Sequence, residues 1–596
     1  MGAGPIDGAY CSDVRVVRGL RLAIDGFEGE HVGTLIDSAS VVRFASAHRS
    51  LDAPGADPDV RGTLVRTVHA DGIEHSFMLA TRLPHPLDVE IVVDLEPDLT
   101  HMQDIKSGEA QRPRIPVEID ADHARWSGED VRVELTAPGA AIETTDAGLR
   151  LTWRLDVPAR GRAGIGFRVE AHDDAAVVRA PSGPALWQRP HLDGVDDRLA
   201  RWVTRALDDL DALRLTAGDA AEFLAAGAPW FFTLFGRDAM WAARFLLPLG
   251  DRLPLSTLRV LAARQGGRHD LPSAEQPGKI LHELRRATLR IPGEGVTLPP
   301  VYYGTVDATA LWIRLLVDLR RSGTPLAELA DLRPALEAAL AWMRDSGDRD
   351  GDGLLEYIDV TGHGLSNQGW KDSADAVQWR DGRLAEGPLA LCEVQAYAFA
   401  AAKGGADLLD ELGGDGEPWR RWAARLQAAF RERFWVEDAD GPYPAVALDG
   451  RKRPVDTLTS NIGHLLGTGL LDETETRLVA DRLVSPKLAS GFGLRTLATS
   501  AAGYWPLAYH GGSVWPHDTA IAIMGLAQDG CREHAGILAE GLLRAAVAFE
   551  FRMPELYSGD PITEVPAPLP YPAACRPQAW SAAAAIAVLD ALTPRD

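Results

Sequence analysis

The chain is 596 residues long and carries 61 Lys+Arg against 85 Asp+Glu, a net charge of −24. Its 46% apolar and 24% charged content is that of an ordinary folded domain, which excludes a disordered, collagen-like or disulfide-scaffold protein. The acidic balance argues against a nucleic-acid footprint or an anionic membrane surface as partner, and the length leaves room for about three to four domains.

The opening stretch MGAGPIDGAYCSD has neither the basic flank nor the apolar core of a signal peptide. No run approaches the roughly 18 apolar residues of a spanning helix. Cys11, Cys392, Cys531 and Cys575 lie far apart without CxxC or Cys/His ligand spacing, so they read as reduced thiols and the expected location is the cytoplasm.

From Val14 to about Val169 the apolar residues alternate in short runs, among them VRVVRGLRLAI, LDVEIVVDLEPD and LRLTWRLDV, broken by turns such as Asp25-Gly26 and Pro138-Gly139. Period-2 runs at this spacing predict an antiparallel β-sandwich over residues 1–180. A Pro/Gly-rich linker is expected over 181–195. From 196 to 596 the period becomes helical, as in VDDRLARWVTRALDDLDALRL, RPALEAALAWMRDSG and REHAGILAEGLLRAAVAFEF. That length suffices for about six helical hairpins in two concentric layers, and no repeat of 20–50 residues points to a solenoid. The connections are long and rich in Gly, Pro and aromatic residues, as binding loops on a helical scaffold are. They are expected to gather at one end.

These loops carry Trp230, Phe231, Phe232, Tyr302, Tyr303, Trp370, Tyr504, Trp505, Tyr509, Trp515 and Tyr557. Each could be core packing. Grouped with acids, His and Arg, they suit the C–H faces of sugar rings, and glycosidic chemistry needs two carboxyl groups across the scissile bond.

The segments PWFFTLFGRDAMWAA, EQPGKILHELR, VYYGTVDATALWI, DRDGDGLLEY, NQGWKDSADAV, ALCEVQAYAFAA, SNIGHLL, YHGGSVWPHDTAI and RMPELYSG, in this order over nearly the whole chain, resemble the bacterial amylo-α-1,6-glucosidase family. More distantly, the helical part is similar to glucoamylase, trehalase and processing α-glucosidase I. The resemblance implies a glycogen-debranching-type N-terminal domain before an (α/α)6 barrel, and an inverting, exo-acting α-glucosidase. Nothing in the chain shows the βαβ alternation of a separate transferase barrel.

By that resemblance Asp372, in Gly369-Trp370-Lys371-Asp372-Ser373, is the general acid. Its chemistry requires protonation near neutral pH, which an aromatic wall such as Trp370 favours by desolvation. Lys371 would oppose this unless it points away, although it is also a candidate sugar contact. Asp375 is the nearest rival, with a helix-start carboxylate as its alternative role. Glu555, in Pro554-Glu555-Leu556-Tyr557, matches the base that activates water. Arg237-Asp238 looks like the pair that holds O4 and O6 of a terminal glucose; the alternative is a buried ion pair at a helix start. Further sugar-contact candidates are Glu356, Tyr357, Gln368, His510, Trp515, His517 and Asp307, followed by Glu275, Lys279, His282, Asn461 and Asp518.

Asp348-Arg-Asp350-Gly-Asp352-Gly353 has the spacing of the first half of an EF-hand loop, with Asp359 at the position of the usual Glu. It reads either as a Ca²⁺ loop or as a turn that delivers Glu356 and Tyr357. No other cofactor is implied, and the expected partner is a carbohydrate. Two alternatives stay open: a same-fold inverting glycosidase for another glycon (a rhamnoside, a mannoside or a glucosylated metabolite), and a carbohydrate-binding protein without turnover. A phosphorylase would leave Glu555 without a task.

Overall fold

The computed structural model describes residues 4, 6–108, 114–218, 221–291, 293 and 295–593. Part of the N-terminal stretch considered above therefore lies outside the described residues. The chain forms two units, Met1–Ala180 and Pro181–Asp596.

The first unit is two antiparallel sheets. One has the order β1 (Ala9–Cys11), β2 (Val14–Ile24), β7 (Leu87–His101), β12 (Leu149–Val157), β11 (Ala141–Thr144). The other runs β3 (Glu30–Ile36), β4 (Val41–Ala47), β5 (Val60–Val68), β6 (Gly72–Thr81), β13 (Arg162–Asp173), β10 (Val131–Thr136), β9 (His123–Ser127), β8 (Glu118–Asp120). Alternation sets the register: Leu149, Leu151 and Trp153 of β12 face Leu95, Val93 and Ile91 of β7, and all six are buried. Shifting β12 by one residue would turn that set to water. One short helix, α1 (Met102–Ser107), follows β7.

The second unit is a closed double ring of helices. The inner ring comprises α3 (Gly236–Phe245), α5 (Ala308–Arg321), α8 (Cys392–Glu411), a 3₁₀ turn over Ser460–Leu465, α11 (Pro516–Gln528) and α13 (Ala579–Leu592). Each packs on the next, and α13 closes on α3. Outside lie α2 (Asp197–Ala212), α4 (Arg252–Ala262), α7 (Arg333–Asp345), α9 (Glu417–Arg433), α10 (Glu473–Leu483) and α12 (Arg532–Ala548), with the single turn α6 (Leu326–Leu329) before α7.

Sequence separates the two layers. The outer helix α2 has one apolar stripe, Leu199, Trp202, Val203, Ala206, Leu207 and Leu210, and is capped by Asp196, which accepts from Arg198 N at 2.8 Å. The inner helix α13 is buried along nearly all its length. Its run Ser581-Ala-Ala-Ala-Ala585 suits a helix surrounded by α2, α3 and α11, where small side chains let backbones approach.

This is a β-sandwich followed by an (α/α)6 toroid. Connections from inner to outer helices are short, as at 246–251 and 529–531, whereas those entering the inner helices are long, as at 263–307 and 346–391. The long loops therefore share one end of the ring. One inner position departs from a full set of hairpins: Ser460-Asn461-Ile462-Gly463 makes only the 3₁₀ turn. Asn, Ser and Gly are weak helix formers, and Gly467 and Gly469 follow with φ of 68° and 77°. Among the described residues no helix is long and apolar enough to cross a membrane.

Candidate active site

Each of the six inner elements contributes side chains at or beside its N-terminus, and these meet at one mouth. Arg237 and Asp238 are in the first turn of α3, and Asp307 is the residue before α5. Glu393 is in the first turn of α8, and Ser460 and Asn461 open the 3₁₀ turn. His517 and Asp518 begin α11, and Trp580 begins α13. Pro516 presets the start of α11. The start of α3 requires Gly236, because an added Cβ would collide with the Leu281 carbonyl. Helix N-termini carry partial positive charge, so the mouth accommodates Asp238, Asp307, Glu393 and Asp518 together.

Asp372 stands on the loop between α7 and α8. Arg237 Nη1 lies 3.8 Å from Asp372 Oδ2, and Arg237 Nε donates to Asp307 Oδ2 at 2.9 Å. Thr305 Oγ1 donates to Asp307 Oδ1 at 2.7 Å. Burial pushes the Asp372 carboxyl up to about 6, against the pull of Arg237. Its side chain nevertheless keeps 32% exposure, so the acid sits in dense surroundings with one open edge. The rival Asp375 is exposed and accepts from Ser373 Oγ at 2.7 Å.

Glu555 is 2% exposed. Tyr509 OH donates to its Oε1 at 2.6 Å, and the Cys575 backbone N–H donates to Oε2 at 3.0 Å. Burial first, then Glu555 and Asp372, hold the Tyr509 phenol well above its usual value, so it remains a donor. That ordering also puts both carboxylates within electrostatic reach of one phenol. Asp238 is 7% exposed and pushed up to about 7 by burial, offset by Arg237 and reinforced by Asp372 and Glu555. Arg237 therefore pairs with Asp307 and Asp372, and its Nη2 is buried without a partner among the described residues.

An aromatic wall lines this mouth. Trp370 stacks on His464 (5.7 Å, 6°) and meets His510, Trp515 and His517 edge-on. His510 stacks on Trp515 and accepts from or donates to Ser373 Oγ at 2.9 Å. His517 lies flat on Trp580 at 3.6 Å, and both its ring nitrogens are buried without partners. Burial holds His510 and His517 well below the usual histidine range, so both are neutral.

Two expected sugar contacts are engaged elsewhere. The Lys371 ammonium donates to Ser460 Oγ (3.0 Å), Asn461 Oδ1 (2.7 Å) and Thr496 O (2.6 Å); with all three protons used, it braces the loop behind Asp372. Glu356 accepts from Lys452 Nζ at 2.7 Å. Gln368 is buried, with its carbonyl on Val306 N, and Tyr357 OH donates to Asn367 Oδ1 at 2.7 Å. Glu275 braces its own loop through Gly267 N and Arg268, and burial holds Lys279 down to about 7 over the Trp342 ring. His282 is buried between Phe235 and Tyr302.

Of the loop aromatics, Tyr302 belongs to a small core with Leu289, Val296 and Leu298. Tyr557 is buried with its hydroxyl on Phe492 O, and Trp505 is 63% exposed.

Asp348, Asp350 and Asp352 do cluster closely enough to share an ion. Lys452 Nζ, however, lies 2.8 Å from Asp350 and 3.0 Å from Asp352, and Arg433 is 2.7 Å from Asp352. The chain's own cations thus balance part of the carboxylate charge of this loop.

Sequence reasoning missed Trp580, His464, Glu393 and the Cys575 amide as parts of this mouth. His464 and Glu393 fall inside quoted segments, but only the fold shows that Tyr397 OH and Asp518 Oδ1 (2.7 Å) clamp His464.

Residues 266–551 match the family described as mannosylglycerate hydrolase MGH1-like glycoside hydrolase domain, and residues 2–168 match the N-terminal domain of some glycogen debranching enzymes. No curated protein matches the chain. Similar solved structures include the GH63 mannosylglycerate hydrolase of Thermus thermophilus, in complex with Tris and in complex with Tris and D-glycerate. Both are 15% identical and cover 65% of this chain and 99% of theirs, with TM-scores of 0.46 and 0.47. An uncharacterized conserved protein from the same organism is 16% identical with the same coverages and a TM-score of 0.47. The helical part of the chain, over just under half of its length, is thus similar to a glycoside hydrolase domain.

Proposed function

We propose that the protein is an inverting, exo-acting glycosidase that removes one terminal hexose from a small α-glycoside, with a mannosyl or glucosyl unit as glycon. The match to a mannosylglycerate hydrolase-like domain favours this over the α-1,6-glucosidase of branched glucans that the sequence resemblance implied.

The observation that carries the reading is the contrast between the two carboxyls. Asp372, raised to about 6, holds a proton to give to the glycosidic oxygen. Glu555, fixed by the Tyr509 hydroxyl and the Cys575 amide, has both oxygens oriented by donors, as a carboxylate that takes a proton from water should. Water attacks the face of the ring opposite the departing oxygen, so the anomeric configuration inverts. Arg237 Nη2 and the two His517 nitrogens are buried polar groups without partners among the described residues; sugar hydroxyls would satisfy them.

The test is the anomer first released from an α-mannoside or α-glucoside, read by NMR. A β-sugar supports the mechanism, and an α-sugar refutes it.

A further inference from the structure

A cavity of about 420 Å³ opens on Asp372. It is walled by the loop that carries Tyr357 and Asn367 and by the segment that carries Val377 and Leu384. Glu555, Arg237 and Trp370 are not on its lining. In an inverting displacement the acid stands beside the leaving group and the base stands across the anomeric carbon. A cavity that touches the acid and not the base is on the leaving-group side.

We propose that this cavity is the aglycone pocket and that it takes an uncharged group of about a sugar ring's size, not a carboxylate such as glycerate. The inference rests on the acid–base assignment above and adds the chemistry of the leaving group. Among the described residues the lining holds no lysine, arginine or histidine; its acidic side chains are Asp359 and the proton-bearing Asp372. Asp359 is fixed in place, accepting from Thr361 N and Oγ1 (3.0 and 2.7 Å) and from Gly364 N (3.0 Å), with no cation paired to it among the described residues. A carboxylate aglycone would face Asp359 with no counter-ion on the lining, which discriminates against it.

The rest of the wall is apolar or neutral, with Val296, Leu365, Val377 and Leu384 beside Asn367. The volume equals the liquid share of on the order of a dozen waters. A hexose, with twelve heavy atoms against the seven of glycerate, occupies more of that space than a three-carbon group does.

The test compares kcat/KM of the full-length protein on α-mannosides and α-glucosides of three aglycones: D-glycerate, glycerol and a second hexose. The expected order is hexose above glycerol above glycerate, with glycerate at least tenfold below the hexose. Equal or better turnover of the glycerate glycoside overturns the proposal. Leu384→Arg, at a half-exposed position on the rim, should narrow the hexose-to-glycerate ratio at least tenfold; an unchanged ratio places the aglycone elsewhere and overturns the pocket assignment. If none of the compounds is hydrolysed, the glycosidase reading fails, and calorimetric titration of the same compounds still decides the cavity. Tighter binding of the disaccharide by tenfold or more supports it. Equal binding, or binding of none, overturns it.

Discussion

The guanidinium of Arg237 stands 3.8 Å from the Asp372 carboxyl and is held there by Asp307 on its other side. A cation at that distance lowers a carboxyl pKa, yet Asp372 is pushed up to about 6 because burial outweighs the attraction. The proton of the general acid is therefore held by two opposed effects that can be separated.

The alkaline limb of kcat/KM on an unactivated glycoside, whose departure needs the acid's proton, should fall with an apparent pKa on the order of 6. Arg237→Met removes the lowering influence and leaves the burial, so the limb should move to higher pH, by about one unit. A limb that stays in place or moves down would show that another group titrates.

Asp372→Asn and Glu555→Gln should each fold and lose on the order of 10²–10⁴ in kcat. An aryl glycoside with a good leaving group needs little protonation, so it should partly rescue Asp372→Asn and leave Glu555→Gln inactive. Steady-state kinetics on activated and unactivated glycosides decide the roles.

The same acid has a stability signature. A carboxyl whose folded pKa is raised binds more protons in the native than in the unfolded state between about pH 4 and 6, so its penalty is absent below about pH 4 and complete above about pH 6. Asp372→Asn should raise Tm at pH 7.5 and leave it nearly unchanged at pH 4. Melting curves at the two pH values check the sign.

Asp238→Ala tests the closed end of the pocket. If Asp238 binds the glycon, kcat/KM should fall roughly ten- to a hundred-fold on aryl glycosides and disaccharides alike, the cost of about 1.5–3 kcal/mol for a charged hydrogen bond. Lowered Tm with unchanged kinetics would return the residue to the scaffold.

Chelation should leave Tm and kcat of the wild-type protein unchanged, because Lys452 and Arg433 already neutralise the Asp350 and Asp352 carboxylates. Lys452→Gln removes one of those charges, and its Tm should rise on adding Ca²⁺. A calcium-dependent wild-type Tm would reverse the assignment.

The strands around Val89, Ile91 and Val93 and the helix at Leu199–Leu210 were legible because burial on one face writes a period into the chain. The candidate acid and base were reached through motif resemblance, since GWKDS and PELYSG carry no periodic signal. What the sequence hid were contacts set by ring closure. Nothing local says that Trp580, near the C-terminus, lies flat on His517, or that Lys371 spends its charge on Asn461 across the mouth. Lys371 and Glu356 show the same limit: a charged residue in an aromatic loop looks like a ligand contact until its protein partner, far along the chain, is located.

The 3₁₀ turn over Ser460–Leu465 leaves one stave of the inner ring short. Its six residues rise about 12 Å, whereas the 20 residues of α8 rise about 30 Å. Below the turn the wall is closed by irregular chain, with Gly467 N on Asp529 Oδ2 at 2.8 Å and Arg314 on Gly467 O at 3.4 Å. Beyond its short run of 3₁₀ bonds this stave has no ladder of successive amide bonds, so its amides there can open singly without a neighbour's bond being broken. Hydrogen exchange should therefore be fastest, within the inner ring, over 460–470, and slowest in α8 and α13. When the barrel loosens with temperature, its first seam is at the wall that Lys371 ties to the acid loop.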